Sequence, residues 1–212
     1  MAFVVGRSVE GRPITGERLG TGPTQLLLFG GIHGDEPASV TLCERFLAAT
    51  VAHELDGAVL VVPALNPDGL LRATKDNARG VDLNRNFAAR SWKAEHPPGY
   101  FPGSAPLSEP EAAVLAALVD DLSPRVIVAV HQPFRCVNWD GPAESLANQM
   151  SAACGYPAVA SVGYPTPGSF GAAYGIDRAV SVITFELPRP VADEEWDGCL
   201  RALKCATMWR PS

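Results

Sequence analysis

The feature that most constrains the fold is an apolar run delivered into a glycine turn: Gln25-Leu26-Leu27-Leu28-Phe29-Gly30-Gly31-Ile32-His33-Gly34-Asp35-Glu36. Strands buried on both faces read as continuous apolar segments, so the run predicts an interior strand of a parallel sheet. The turn presents His33 and Glu36 just beyond the strand's carboxyl end, where open α/β sheets place functional groups. Nitrogen and carboxylate donors at this spacing suit zinc. Alone the His-x-x-Glu pair is a weak signal, because short polar turns produce one by chance.

The pattern recurs. Residues 58–65 form a second apolar strand, which Asn66-Pro67-Asp68-Gly69 breaks with strong turn chemistry. Residues 125–131 are an apolar strand ending on His131, and residues 180–188 are another that carries Glu186. Between them the apolar spacing turns helical. Val40, Leu42, Cys43, Phe46, Leu47 and Val51 mark a helix from Glu36 to about His53. Ser108-Glu109-Pro110-Glu111 reads as a capping box, with Ser108 as N-cap, for a helix carrying Val114, Leu115, Leu118 and Leu122. Further helices are expected over residues 142–154 and 192–209, two short strands over 3–19, and loops over 70–107 and 163–175. A loop as long as 70–107 inside a compact domain is usually functional. Strands alternating with helices predict an α/β fold: one domain over residues 1–212, with a mixed, largely parallel twisted sheet and helices on both faces.

Composition narrows the partners. With 47% hydrophobic and 19% charged residues the chain is globular, and its net charge of −6 argues against nucleic acid held by a general basic field. Five cysteines, an odd number without Cys-x-x-Cys spacing, read as small packing residues in a reducing compartment. No apolar run approaches a membrane span, and Met-Ala-Phe-Val-Val-Gly-Arg-Ser lacks the pattern of a signal peptide, so a cytoplasmic location is expected with no membrane partner. Oligomeric state is not legible.

Three strand ends thus offer His33 with Glu36, His131, and Glu186, and in a doubly wound sheet such ends converge. Two histidines and a carboxylate leave zinc's fourth position open, the catalytic arrangement, and Glu186 is then free to act as general base. Within the long loop, Asp82-Leu83-Asn84-Arg85-Asn86-Phe87 sets an amide beside a guanidinium, a pair suited to gripping a carboxylate.

At this point the chain resembles the zinc carboxypeptidases, the carboxypeptidase A-like family. The motifs occur in order: Gly6-Arg7-Ser8-Val9-Glu10-Gly11-Arg12-Pro13-Ile14, His33-x-x-Glu36, Asn66-Pro67-Asp68-Gly69, Asp82-Leu83-Asn84-Arg85-Asn86, His131, and Thr184-Phe185-Glu186-Leu187. The resemblance implies one zinc ion held by His33, Glu36 and His131, with Glu186 as general base and Asn84 with Arg85 as the clamp for a terminal carboxylate. It implies that Asp82 orients the first ligand histidine. Where the family carries an oxyanion-stabilising arginine, this chain has Lys75, with Arg72 and Arg79 as alternatives. Tyr164 lies near the position of a substrate-capping tyrosine, one residue out of register.

The second half narrows the likeness. Residues 101–111, His131-Gln132-Pro133, Asn138-Trp139-Asp140-Gly141-Pro142-Ala143 and residues 163–171 look like the murein peptide amidases, compact cytoplasmic members of that family. The implied substrate is a small murein peptide, cut between γ-D-glutamate and meso-diaminopimelate. The far end of diaminopimelate carries an ammonium and a carboxylate, and the candidate partners are Asp140, Arg135 and Arg178. Two other readings stand beside this one. A zinc deacylase of the succinylglutamate desuccinylase or aspartoacylase type also uses a strand-end His-x-x-Glu. A catalytically silent murein-peptide binder would not need Glu186.

Overall fold

The strands that deliver the candidate residues lie side by side. A computed structural model of the chain describes residues 2–211. Its strands are β1 (Ala2–Arg7), β2 (Pro13–Gly20), β3 (Thr24–Phe29), β4 (Ala58–Val62), β5 (Val126–His131), β6 (Cys136–Asp140), β7 (Ala158–Val159) and β8 (Ser181–Glu186). Its helices are α1 (Pro37–Ala49), α2 (Pro67–Arg72), α3 (Pro110–Leu122), α4 (Glu144–Cys154) and α5 (Trp196–Met208). One eight-stranded sheet runs in the order β1-β2-β4-β3-β5-β8-β6-β7. The central β4-β3-β5-β8 block is parallel throughout, while β1, β2 and β6 join antiparallel.

Every residue of β3, β4 and β5 is buried, as continuous apolar runs require, and alternate side chains feed two cores. Leu26, Leu28, Val59, Val61, Val126 and Val128 face α1, α4 and α5. Leu27, Phe29, Leu60, Val62, Ile127 and Ala129 face α3 and the aromatics Phe87, Phe170 and Tyr174. Layers on both faces leave the carboxyl ends of the strands as the edge where a site can form, and the chain is a mixed α/β domain as the alternation predicts.

Local differences from the sequence reading have physical causes. The capping box does not form: Pro110 is the first helical residue of α3, so Glu109 takes the N-cap and Glu111 falls one position short of reaching back. The buried Glu111 carboxylate instead accepts from Val9 N–H at 3.0 Å and Asn77 Nδ2 at 3.2 Å. The second apolar strand ends at Val62, and Asn66 caps α2 by accepting from Gly69 N–H at 2.9 Å, so the turn motif starts a helix. Strand β6 was not anticipated. Its sequence Cys-Val-Asn-Trp-Asp mixes polar and apolar residues because it pairs antiparallel beside β8 and borders the cavity described below. Residues Gly171–Ile176, expected as loop, form a turn of wide helix.

A candidate metal centre at the strand ends

Chain geometry at the end of β3 sets His33. A Cβ at Gly34 would stand 2.0 Å from the Gly69 carbonyl carbon, so the turn lies directly on the backbone of α2. Ser39 Oγ clamps the same turn, donating to Glu36 O at 2.6 Å and accepting from Gly31 N–H at 2.9 Å. Glu36 occupies the N-cap of α1 without capping it, because its carboxylate is engaged elsewhere. Oε1 lies 2.9 Å from His33 Nδ1, and Oε2 lies 3.1 Å from His131 Nδ1 and accepts from Gln132 N–H at 3.1 Å.

These three side chains are a donor set for a metal. One atom from each of His33, Glu36 and His131 falls within 4.8 Å of the others, and all three are buried. His33 Nε2–H donates to Asp82 Oδ1 at 3.1 Å, which fixes the ring and turns Nδ1 toward Glu36. In that neutral tautomer two lone pairs face each other across 2.9 Å, so the site calls for a proton or a cation between them. Nitrogen, nitrogen and carboxylate oxygen with room for a further ligand fit zinc. Burial acts to lower the pKa of His33, but the charge of Glu36 and the ring's hydrogen bonds to Asp82 and Glu36 outweigh it and raise the ring to about 10. For Glu36 burial acts upward and is outweighed by His33 and His131, leaving the carboxyl at about 2. Asp82 also resists its burial and is held well below the carboxylate range by His33, Arg85 and Lys75.

Glu186 ends β8 as the register partner of His131, so the two side chains project from one sheet face at adjacent strand ends. Burial, and then the charge of Glu36, raise its pKa above the ordinary carboxyl value, against the pull of His131. Phe134 N–H donates to Glu186 Oε2 at 3.4 Å.

A cavity of about 420 Å³ opens beside this cluster. Asp82 starts the tight turn Leu83–Arg85 by accepting from Asn84 N–H at 3.0 Å, and the turn places Asn84 and Arg85 in the cavity wall. Asn84 Oδ1 accepts from Phe170 N–H at 2.9 Å. Arg85 is 6% exposed and donates to Asn84 O at 2.6 Å, yet among the described residues it has no carboxylate partner. A buried guanidinium in that state is poised for an anion. Tyr164 lines the mouth and has its phenol pKa raised by burial, against the pull of the Arg85 charge. Asp140 also lines the cavity. A Cβ on Gly171 would stand 2.2 Å from its Oδ2, and burial alone raises its pKa. The Asp140 carboxylate likewise has no ion-pair or hydrogen-bond partner among the described residues.

The cations named from sequence separate here. Lys75 borders the cavity, but its ammonium is bonded to Asp82 Oδ2 at 2.6 Å and Gly99 O at 2.9 Å and lies 3.9 Å over the Tyr100 ring. Arg72 does not line the cavity and pairs with Glu10 on the surface. Arg79 turns to Glu109 at 3.5 Å, Arg135 to Glu195 at 3.0 Å, and Arg178 to Asp120 at 2.7 Å. Of the three side chains offered for the far end of the substrate, only Asp140 reaches the cavity. Two contributors went unassigned at the sequence level. Tyr100 lies between Lys75 and Arg85, 5.2 Å from the latter. Gln132 braces three elements: Oε1 accepts from Ala38 N–H at 3.3 Å and Nε2 donates to Pro188 O at 2.7 Å, while its backbone N–H holds Glu36. Position next to His131 was the available signal for Gln132; nothing marked Tyr100.

Comparison with known proteins identifies the family. Residues 2–140 match the sequence profile of the zinc carboxypeptidase family. Murein peptide amidase A of Escherichia coli K12 is 36% identical over 87% of this chain and 80% of its own length. Murein peptide amidase A of Vibrio campbellii is 33% identical over 91% of this chain and 83% of its own. The crystal structure of murein-tripeptide amidase MpaA from Escherichia coli O157 superposes with a TM-score of 0.86 at 33% identity, covering 100% of this chain and 93% of that one. The chain belongs to the zinc carboxypeptidase family of hydrolases.

Proposed function

We propose that the chain is a zinc-dependent amidase that releases meso-diaminopimelate from γ-D-glutamyl murein peptides during cell-wall turnover in the cytoplasm. The observation that carries this reading is one cavity, beside the His33, Glu36 and His131 donors, that holds an unpaired guanidinium at Arg85 and an unpaired carboxylate at Asp140. A leaving residue with a terminal carboxylate and a distal ammonium satisfies both. The relatives named above as murein peptide amidases support the same substrate class.

His33, Glu36 and His131 would hold one zinc ion. When bound there, the ion supplies a Lewis acid that brings a water's pKa to about 7 and polarises an amide carbonyl. Asp82 keeps His33 in the tautomer that ligation needs. Arg85 and Asn84 grip the terminal carboxylate, which orients the scissile amide, and Asp140 takes the ammonium. Glu186 accepts the proton of the attacking water and passes it to the departing amine. Its raised pKa suits a group that must both take and give that proton near neutral pH. Lys75, which lines the cavity, spends two of its three N–H donors on Asp82 and Gly99.

Incubation of the zinc-loaded protein with L-Ala-γ-D-Glu-meso-diaminopimelate, read by mass spectrometry, tests the reading. Free diaminopimelate is expected, with Asp140→Asn losing the preference for it over neutral C-terminal residues. Hydrolysis of N-acyl amino acids without tripeptide cleavage would instead support the deacylase alternative.

A further inference from the structure

Beyond Arg85 the surface folds into a second hollow of about 660 Å³, which shares Arg85, Tyr100, Tyr164 and Pro165 with the first cavity. The two spaces are therefore chambers on either side of one aromatic rim. In the first chamber Asp140 packs closely on Gly171 and Gly175. The shared rim gives a ligand longer than one residue a continuous path from the first chamber into the second.

The second chamber has a chemistry of its own. Four prolines, Pro97, Pro102, Pro165 and Pro167, line it, and their fixed φ angles keep its walls in place without a bound ligand. Lys93 lines it and has no acidic partner among the described residues. His96 already commits Nδ1 to Pro97 O at 3.1 Å, and Glu95 is the one acid on the wall. Arg85 and Lys93 against Glu95 leave the chamber locally cationic in a chain whose net charge is −6.

We infer that this chamber is a second subsite that receives the acyl-side segment of the substrate and sets a carboxylate of that segment against Lys93. The inference rests on the function proposed above and extends it. A γ-linked glutamyl group keeps its α-carboxylate outside the scissile amide, so the acyl side always presents an anion. Arg85 is taken by the leaving residue's carboxylate, and Lys93 is the remaining cation on the route out.

Two substrates with the same diaminopimelate leaving group separate the possibilities: one with the glutamyl α-carboxylate free, the other with it amidated. The wild-type protein is expected to favour the free acid by about fivefold in kcat/KM, mainly through KM, the scale of one exposed ion pair. Lys93→Met should abolish that preference while turning over the amidated substrate as wild type does. A preference that survives in Lys93→Met, or equal turnover of both substrates by wild type, overturns the subsite while leaving the amidase reading intact. Hydrolysis of neither substrate overturns both together.

Discussion

At the scale of single residues, the site is a set of side chains held in unfavourable surroundings by one another. Glu186 is the clearest case: burial and the charge of Glu36 both raise its pKa above 4.5. A base so placed stays protonated to higher pH, so the acid limb of kcat/KM should fall above the range of an ordinary glutamate. Glu186→Gln should remove at least about a hundredfold of rate while zinc content stays at the wild-type level. Near-normal turnover in that variant would remove Glu186 from the mechanism. Residue type and position made His33, Glu36, His131 and Glu186 legible, since each ends an apolar run. The cations were less legible, because a sequence displays charge without displaying its partner. Arg72, Arg135 and Arg178 sit close to cavity-forming segments in sequence and are drawn off by Glu10, Glu195 and Asp120. Lys75 aligns with an oxyanion cation, yet its ammonium is tied to Asp82.

At the scale of elements, register does the placing. β5 and β8 pair in parallel from Val126 with Ser181 to His131 with Glu186, so one hydrogen-bonded ladder delivers a candidate metal donor and the proposed base to the same edge. Gln132 then ties that edge to the first turn of α1 and to the chain leaving β8. Gln132→Ala should therefore fold but bind zinc about tenfold more weakly, as loss of a supporting contact around a ligand commonly does. Unchanged zinc affinity in a chelator competition would show that the brace has no bearing on the donors. The interior strands were legible because β3, β4 and β5 are buried on both faces. β6 was not, since a strand bordering the cavity keeps polar residues such as Asn138 and Asp140 where apolar alternation is the signal. The start of α3 shows a similar limit: Pro110 decides where the helix begins, and the acidic residues around it serve loop and core contacts.

At the scale of the whole molecule, the sheet separates stability from function. Two apolar layers cover its faces, and the titratable groups gather along one edge where loops can be shaped without disturbing the core. A chain of net charge −6 still presents to its cavity an arginine with no carboxylate partner among the described residues, so the positive charge there is local and owes nothing to the overall field. The central claim is that the edge formed by β3, β5 and β8 is a zinc site that performs amide hydrolysis. The most direct measurement strips the protein with a chelator, returns zinc in graded amounts, and follows bound metal against the rate of diaminopimelate release. Rate is expected to rise in proportion to occupancy and to saturate at one zinc per chain. Full activity in the stripped protein, or saturation of metal with no activity, would contradict the account.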